Sequence, residues 1–179
     1  KPGDRIILGK PLGVGIFSAA VKKNKLDAAG YAAMIDSTTR LNTPGIALGE
    51  LAGVHALTDV TGFGFAGHLL EVCRGSKVSA IVEWNRVPFL PGAVELARSG
   101  VRTGASTRNW ASYGECVDLG RFGELEKNLL TDPQTSGGLL VTCAPDAVEE
   151  VLAIFRGQGF EHVAEIGTIR AGSPFINVE

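Results

Sequence analysis

The sequence predicts an α+β fold in which a mixed β-sheet of four or more strands is covered by helices. Short apolar runs of strand length alternate along the chain with segments whose apolar residues recur at helical spacing. Glycine and proline separate most of these segments, as expected for turns. The 179 residues are 45% hydrophobic, which is enough to bury a sizeable core as one domain or at most two small ones, and one domain covering residues 1–179 is predicted.

The first predicted strand covers residues 5–9, whose sequence is R-I-I-L-G. The turn after it contains an incomplete G-x-G-x-x-G dinucleotide fingerprint, formed by Gly13, Gly15 and Ser18. The third glycine is missing, and Asp36 lies within a predicted helix instead of after a second strand. A nucleotide site at this turn is therefore disfavoured. Lys10 is interpreted as a solvated lysine, with a phosphate contact as the alternative.

Two helices are predicted next. Residues 27–38 are rich in alanine, and their spacing predicts a helix with one side packed inward. That side consists of Ala28, Tyr31, Ala32 and Ile35. Pro44 follows the capping residues Asn42 and Thr43 and begins a second helix, which extends to about residue 51.

The rest of the chain is organised around residues 55–72, with the sequence H-A-L-T-D-V-T-G-F-G-F-A-G-H-L-L-E-V. A short buried strand, expected at the centre of the sheet, gives way to a helix through a glycine turn. Asp59 and Thr61 lie at this turn, where open sheets of this kind place their ligands. A buried carboxylate is costly to desolvate without a partner, and a bound cation is one such partner. The alternative is that Asp59 or Thr61 satisfies free amides at the helix start.

The remaining chain continues the alternation. Strands are predicted at residues 77–84, 139–143 and 163–170, helices at residues 92–98, 124–130 and 145–157, and a short tail at residues 172–179. Residues 99–123 lose this periodicity and are interpreted as a long loop, a kind of segment that is often functional. Arg108, Asn109 and Trp110 within it suit an anion or a neighbouring domain. The alternative is an exposed loop anchored by Trp110.

A polar turn, T-D-P-Q-T-S-G-G at residues 131–138, precedes the strand at residues 139–143. Successive N–H groups in a glycine-containing turn can form a concave donor site for an anion. The candidates for such a site are Thr135, Ser136, Gly137 and Gly138. A turn that needs no ligand is the alternative.

Composition narrows the function classes. With 17 basic and 19 acidic side chains, the chain is not expected to bind nucleic acid. It contains neither an apolar run of membrane-spanning length nor a signal peptide, so no membrane partner and a cytoplasmic location are expected. Cys73, Cys116 and Cys143 lack metal-binding spacing and are interpreted as reduced core residues.

Three motifs occur in a characteristic order. They are T-D-V-T-G-F-G-F-A-G-H-L-L-E at residues 58–71, T-G-A-S-T-R-N at residues 103–109 and T-D-P-Q-T-S-G-G-L-L at residues 131–140. Together with L-G-K-P-L-G-V-G at residues 8–15, they resemble the selenide, water dikinase (selenophosphate synthetase) family. The D-x-T-G-F-G run alone is shared with aminoimidazole ribonucleotide synthetase and with hydrogenase-maturation and thiamine-phosphate kinases. The resemblance covers the whole chain but only the C-terminal half of the enzyme, and the opening K-P-G-D suggests a fragment.

The resemblance implies an enzyme that makes selenophosphate from selenide, ATP and water, releasing AMP and phosphate. It implies Mg²⁺, a requirement for K⁺, a homodimer, and a fold like the C-terminal domain of aminoimidazole ribonucleotide synthetase, partly ferredoxin-like. The catalytic Cys or selenocysteine, its lysine and most metal-binding acids belong to the N-terminal half of the family. The fragment alone is therefore expected to be inactive and to need its own N-terminal domain as a partner.

Residue by residue, Asp59 matches the one acid that the C-terminal half contributes to the Mg²⁺ and phosphate cluster. The further candidates for the cleft that faces the N-terminal half are Thr58, Thr61, Gly62, Arg108, Asn109, Thr135, Ser136, Gly137 and Gly138. Two other functions stay open. One is a related ATP-dependent enzyme of the aminoimidazole ribonucleotide synthetase type, and the other is a non-catalytic binding module.

Overall fold

A seven-stranded mixed β-sheet runs through the computed structural model, which describes residues 1–179. Its strands are β1 (Arg5–Leu8), β2 (Val54–Asp59), β3 (Val78–Val82), β4 (Val117–Asp118), β5 (Leu139–Cys143), β6 (Ala164–Ala171) and β7 (Phe175–Val178). Their order across the sheet is β2-β5-β1-β6-β3-β7-β4. Neighbours are antiparallel except for β3 with β7 and β7 with β4, which are parallel. The predicted mixed sheet and α+β class are confirmed.

Eight helices surround this sheet. They are α1 (Val14–Lys22), α2 (Ala28–Thr39), α3 (Pro44–Leu48), α4 (Gly64–Ser76), α5 (Ala93–Arg98), α6 (Gly104–Tyr113), α7 (Glu124–Leu130) and α8 (Val148–Gly157). Three short 3₁₀ turns, Trp84–Arg86, Gly114–Cys116 and Pro145–Ala147, join the larger elements. No helix has both the length and the apolar character needed to cross a bilayer.

The core has two main layers, one on each face of the sheet, because successive side chains of a strand point to opposite faces. In β1, Ile6 faces the layer that contains α4, whereas Ile7 faces the layer that contains α8. Cys73 and Cys143 are buried in these layers, Cys116 is partly exposed, and all three are free thiols. Helix α4 packs against the sheet along its apolar face, and this packing sets the position of the β2–α4 connection.

Helices α1, α2 and α5 form a smaller packed group of their own. Phe17 of α1 is fully buried and lies in one cluster with Leu90 and Ala93. Since α1 follows β1 after a short turn, this packing holds the start of α1 close to the end of the sheet.

Most predicted elements are confirmed, because their periodicity matches this layering. The β3 residues Val78, Ala80 and Val82 are all buried. The inward residues predicted for the last helix are buried in α8, namely Val148, Val151, Leu152 and Phe155. The helix that starts at Pro44 is shorter than predicted, since α3 ends at Leu48.

Strand β2 lies at the edge of the sheet, so its predicted central and buried position is wrong. It pairs only with β5, and Leu57 on it is 37% exposed. A short apolar run does not distinguish an edge strand from a central one, because that choice depends on which strands pair. The C-terminal end of β2 therefore opens to solvent.

Helix α2 forms as predicted, but the side predicted to pack inward faces solvent. Tyr31 is 52% and Ile35 41% exposed, and Ala28 and Ala32 are exposed too. Met34, on another side of the helix, packs against the core instead. Small and apolar residues occur on more than one side of this helix, so its periodicity alone could not select the inward face.

The loop predicted at residues 99–123 contains α6 and β4, so this prediction is wrong. Thr103 caps the N-terminus of α6, because its hydroxyl accepts a hydrogen bond from the N–H of Ser106. Its buried side chains are mostly polar, which conceals the helix from a search for hydrophobic periodicity. The predicted tail at residues 172–179 is also wrong, because Phe175–Val178 forms β7 beside β3. Four residues are too few for a clear periodic signal.

Candidate functional site

The turn between β2 and α4, residues 60–63, follows directly on Asp59, the last residue of β2. The carboxylate of Asp59 is exposed and takes part in no hydrogen bond or ion pair within the chain. The expected desolvation of this group is wrong, because the edge strand ends in solvent. Asp59 does not accept from amides at the start of α4 either, so both of its oxygens are available to a cation or a partner.

Every carbonyl of residues 61–63 accepts a hydrogen bond from the protein. The acceptors are the backbone oxygens of Thr61, Gly62 and Phe63, and the donors are the backbone N–H of Gln134, the side-chain amide of Asn109 and the hydroxyl of Tyr113. The N–H groups of Gly62 and Phe63 donate no hydrogen bond within the chain. The turn is thus held rigidly with its carbonyls directed into the protein.

The imidazole of His68, in the second turn of α4, holds the same turn from the helix side. Its Nε2 accepts a hydrogen bond from the backbone N–H of Thr61 at 2.9 Å and lies 3.1 Å from the Thr61 hydroxyl. Burial lowers the pKa of His68, while the charges of Asp59 and Glu71 oppose this shift. Because Nε2 accepts from the N–H of Thr61, the ring is neutral and its proton lies on Nδ1. His68 is absent from the predicted site residues, although it stands seven positions after Thr61 within the motif at residues 58–71.

The loop at residues 131–138 packs against the β2–α4 turn. The N–H of Val60 donates to the carbonyl of Gly138, and the N–H of Gln134 donates to the carbonyl of Thr61, both at 3.0 Å. The side chains of Thr135 and Ser136 are exposed beside them. The structure thus brings together Asp59, Thr61 and Gly62 with the predicted residues of this loop, although the two segments are about 75 residues apart in the sequence.

The two glycines of this loop are required by close packing. A Cβ atom on Gly137 would lie 2.1 Å from the carbonyl oxygen of Val60, and one on Gly138 would lie 2.3 Å from the backbone nitrogen of Lys10. Ser136, which lies between Thr135 and Gly137 in the sequence, adopts a positive φ of 47°. No larger residue could replace Gly137 without moving the loop away from Val60, or Gly138 without moving it away from Lys10.

Lys10 is buried and bonds to this loop. The interpretation of Lys10 as a solvated lysine is therefore wrong, and so is the alternative of a phosphate contact. Its ammonium donates to the carbonyls of Ser37 at 3.0 Å, Arg40 at 2.6 Å and Ser136 at 2.8 Å. Burial lowers its pKa, and the charge of Arg40 acts in the same direction. Lys10 thereby joins the C-terminal end of α2 to the loop, and all three of its donors are used.

Asp132 and Gln134 cap the start of α1, a role that the sequence analysis missed. The side-chain oxygen of Gln134 accepts from the N–H groups of Gly13 and Val14, and Asp132 accepts from the N–H of Ile16. Burial raises the pKa of Asp132 to about 7. The glycine turn before α1 therefore has its N–H groups bonded within the protein. No local signal could reveal this, since the partners lie 116 to 121 residues apart.

The remaining predicted residues have different surroundings. Asn109 is buried, and its amide donates to the carbonyls of Gly62 and Thr131 at 2.9 and 3.0 Å. Its role in the structure is to hold the turn. Arg108 is exposed on α6 and forms no ion pair. Thr58 is half-buried, and the alternation of β2 directs it to the face opposite Asp59.

The oxygen donors at this turn suit a hard divalent cation, but they are few. Mg²⁺ prefers carboxylate and other oxygen ligands in octahedral geometry, and Asp59 offers an unpaired carboxylate in solvent. No group of three or more His, Cys, Asp or Glu side chains is arranged to hold a metal ion. These residues therefore fit one part of a shared metal site and not a complete one.

Strand β2 thus ends in a free acid and is followed by a glycine turn and a packed helix. Residues 1–178 match the family described as "AIR synthase related protein, C-terminal domain", and the chain belongs to this family. Among curated proteins, it is similar to those named "Selenide, water dikinase". That of Pseudomonas straminea is 59% identical over 179 residues, which are 99% of this chain and 50% of the relative. Those of Dechloromonas aromatica and Rhizobium meliloti are 58% and 49% identical, with 99% of this chain and 51% of each relative covered.

Solved structures share this fold at low sequence identity. Escherichia coli HypE, a hydrogenase maturation protein, has a TM-score of 0.67 and 17% identity over 99% of this chain and 46% of that one. Thiamine-monophosphate kinase from Stenotrophomonas maltophilia has a TM-score of 0.64 and 20% identity over 100% of this chain and 51% of that one. A HypE structure in complex with ATP has a TM-score of 0.64 and 20% identity, over 100% and 48% of the two chains. The chain spans about half the length of the relatives that it matches.

Proposed function

We propose that this chain is the C-terminal half of a selenophosphate synthetase, which converts selenide, ATP and water into selenophosphate, AMP and phosphate. The identity of 59% to a protein named selenide, water dikinase supports this assignment. The observation that carries the proposal is the free carboxylate of Asp59, exposed beside a turn whose carbonyls are all bonded inward. An acid held in this way is prepared for a partner outside the chain.

In this proposal Asp59 binds Mg²⁺ together with acids and ATP phosphates from the N-terminal half. The cation neutralises phosphate charge, on which phosphoryl transfer chiefly depends. Thr61 and Gly62 border the metal position, and Thr135, Ser136 and Arg108 face the nucleotide across the cleft. A requirement for K⁺ and a homodimeric assembly belong to the same proposal. Selenide reacts in the part of the site that the N-terminal half supplies.

The N-terminal half docks at the β2 edge in this proposal. The segments that flank β2 expose large apolar side chains: Leu41 and Ile46 are each 76% exposed, Phe63 59% and Leu57 37%. Helix α3 lies against the edge strand, since a Cβ on Gly45 would be 3.9 Å from Leu57. Apolar side chains exposed to this degree next to an unpaired strand edge are typical of a protein interface.

A related ATP-dependent enzyme is the second candidate function. A HypE structure in complex with ATP shares the fold. At 20% identity this likeness concerns the fold, whereas the selenide, water dikinases are up to 59% identical. The selenium enzyme is therefore the better supported proposal.

The substitution Asp59→Asn in the full-length protein tests the metal role. We expect selenide-dependent AMP formation to fall by about a hundredfold or more, because one charged oxygen ligand at the phosphates is lost. The melting temperature should stay unchanged, since the carboxylate has no partner within the chain. Asp146→Asn, at another exposed acid, is the matched control and should leave the rate unchanged. Near-normal activity of Asp59→Asn at saturating Mg²⁺ would contradict the proposal.

The 179-residue chain by itself should release no AMP from ATP in the presence of selenide. A single acid cannot assemble the metal site, so positioning and charge neutralisation are both missing. Selenide-dependent AMP formation by the purified chain would show that it holds a complete site. Activity restored on adding the separately expressed N-terminal half would support the shared site.

A further inference from the structure

The side chain of Thr61 is bonded to His68 in a way that determines the direction of its hydroxyl. The backbone N–H and the hydroxyl oxygen of Thr61 both lie within hydrogen-bonding distance of one atom, Nε2 of His68, at 2.9 and 3.1 Å. A nitrogen that accepts from an N–H group is unprotonated, and such a nitrogen can only accept from a hydroxyl. The Thr61 hydroxyl can therefore bond to this nitrogen only by donating its proton, and in that arrangement both of its oxygen lone pairs are free.

The surroundings prevent the turn from relaxing into another arrangement. The carbonyls of residues 61–63 are all bonded inward. The ring of Phe63 lies against the imidazole, with 6.0 Å between the ring centroids. Helix α4, which bears His68, is fixed to the sheet by its buried face. The hydroxyl of Thr61 is thus a fixed oxygen acceptor two residues after the free carboxylate of Asp59.

We propose that His68 is a positioning residue that directs the hydroxyl oxygen of Thr61 toward the divalent cation bound by Asp59. This inference rests on the proposed function, because it assumes a cation at Asp59. His68 does not touch the cation. It acts through Thr61, whose oxygen becomes a second hard ligand from this chain beside the carboxylate. The arrangement resembles the general case in which a group behind a metal ligand sets the orientation of that ligand.

Four substitutions separate this role from a purely structural one. His68→Leu removes the acceptor, while His68→Gln places an amide oxygen near the position of Nε2 and retains an acceptor. Thr61→Val removes the hydroxyl but keeps the backbone N–H bond to His68, and Thr61→Ser keeps both. His162→Leu is the matched control, because His162 is exposed between α8 and β6 and has no hydrogen bond.

The readout is binding of Mn²⁺, as a substitute for Mg²⁺, to the full-length protein, measured by electron paramagnetic resonance in the presence of ATP. We expect His68→Leu and Thr61→Val to weaken Mn²⁺ binding by about tenfold, in the range seen when a group behind a metal ligand is removed. His68→Gln, Thr61→Ser and His162→Leu should stay within about threefold of the original protein. The ring ¹⁵N signals of His68 should also show the proton on Nδ1.

Unchanged Mn²⁺ affinity in Thr61→Val, at an unchanged melting temperature, would overturn the inference. If His68→Leu does not fold, Thr61→Val and His68→Gln still decide the matter, because both preserve the hydrogen bond to the turn. Asp59→Asn distinguishes failure of the positioning role of His68 and Thr61 from failure of the proposed metal site itself. If Asp59→Asn loses Mn²⁺ and Thr61→Val does not, only the role of His68 and Thr61 fails. If Asp59→Asn binds Mn²⁺ normally, the proposed metal site fails as well.

Discussion

At the scale of single residues, Asp132 shows how a carboxyl group far from solvent can serve a structural purpose. Its side chain has no exposed surface. One oxygen accepts from the N–H of Ile16 at 3.1 Å and from the amide of Gln134 at 3.0 Å, while the other oxygen has no partner. Because burial outweighs these bonds, the pKa of Asp132 rises to about 7. The proton therefore stays on this group at pH values where an exposed carboxyl is ionised.

The raised pKa predicts a dependence of stability on pH. Between the ordinary value of 3.8 and about 7, the folded state binds the proton more tightly than the unfolded state does. The free energy of unfolding should therefore fall as the pH rises through this range and remain lower above it. Asp132→Asn should remove about 1 to 4 kcal/mol of this fall, at about 1.4 kcal/mol per pKa unit. Urea denaturation of both proteins at pH 5 and pH 8 measures this fall in the free energy of unfolding.

Asp146→Asn is the control for this prediction, because Asp146 is exposed and forms no ion pair. It should leave the difference in unfolding free energy between pH 5 and pH 8 unchanged. Parallel pH dependence in Asp132→Asn and the unmodified protein would show that Asp132 does not keep its proton when buried.

At the scale of elements, the loop at residues 131–138 is the joint between three parts of the molecule. Its first half caps α1 through Asp132 and Gln134, and its second half lies against the end of β2. Lys10 joins it to the C-terminal end of α2. The turn that follows Asp59 is therefore positioned relative to α1 and α2 by its contacts with this loop.

Gly137→Ala tests this joint. The added Cβ would lie 2.1 Å from the carbonyl oxygen of Val60, so the loop must move away from β2. We expect the free energy of unfolding to fall by about 1 to 3 kcal/mol, as for other overpacked sites, measured by urea denaturation. Gly157→Ala is the control, since nothing lies within 4 Å of its added Cβ. Equal effects of the two substitutions would contradict the close packing.

At the scale of the whole molecule, the exposed apolar side chains near β2 form the surface at which the N-terminal half is proposed to dock. Leu41 and Ile46 are each 76% exposed, so charged substitutions there would change the stability of this domain alone by only about 0.5 kcal/mol. In the full-length protein, Leu41→Asp combined with Ile46→Asp should cost about 1 to 3 kcal/mol, because docking of the N-terminal half at this surface, as proposed, would desolvate the charges. Thermal unfolding of the full-length protein measures this loss.

The control for this surface is Ala153→Asp, which introduces one aspartate on the exposed side of α8. It should leave the melting temperature of the full-length protein nearly unchanged. A double variant at Leu41 and Ile46 that melts like the unmodified protein would show that these side chains remain in solvent in the full-length protein.

The sequence by itself determined the α+β class and the position of most strands and helices, and it predicts a functional role for the motif around Asp59. These features depend on local patterns, since burial on a sheet or helix face imposes a period on neighbouring residues. The alternation of Val78, Ala80 and Val82 is one such pattern, and all three are buried as it predicts. Helix α6 escaped detection because its inward side chains are mostly polar.

Only the tertiary structure decided that β2 is an edge strand, that Asp59 is in solvent, and that Lys10 is buried beneath the loop at residues 131–138. Each of these depends on partners distant in the sequence: Lys10 bonds to a carbonyl 126 residues away. Short-range periodicity contains no information on such pairings, because the same apolar run is stable at a sheet edge or at its centre. The contacts that orient the site, those of Lys10 and Asn109 among them, form only when the whole chain is packed.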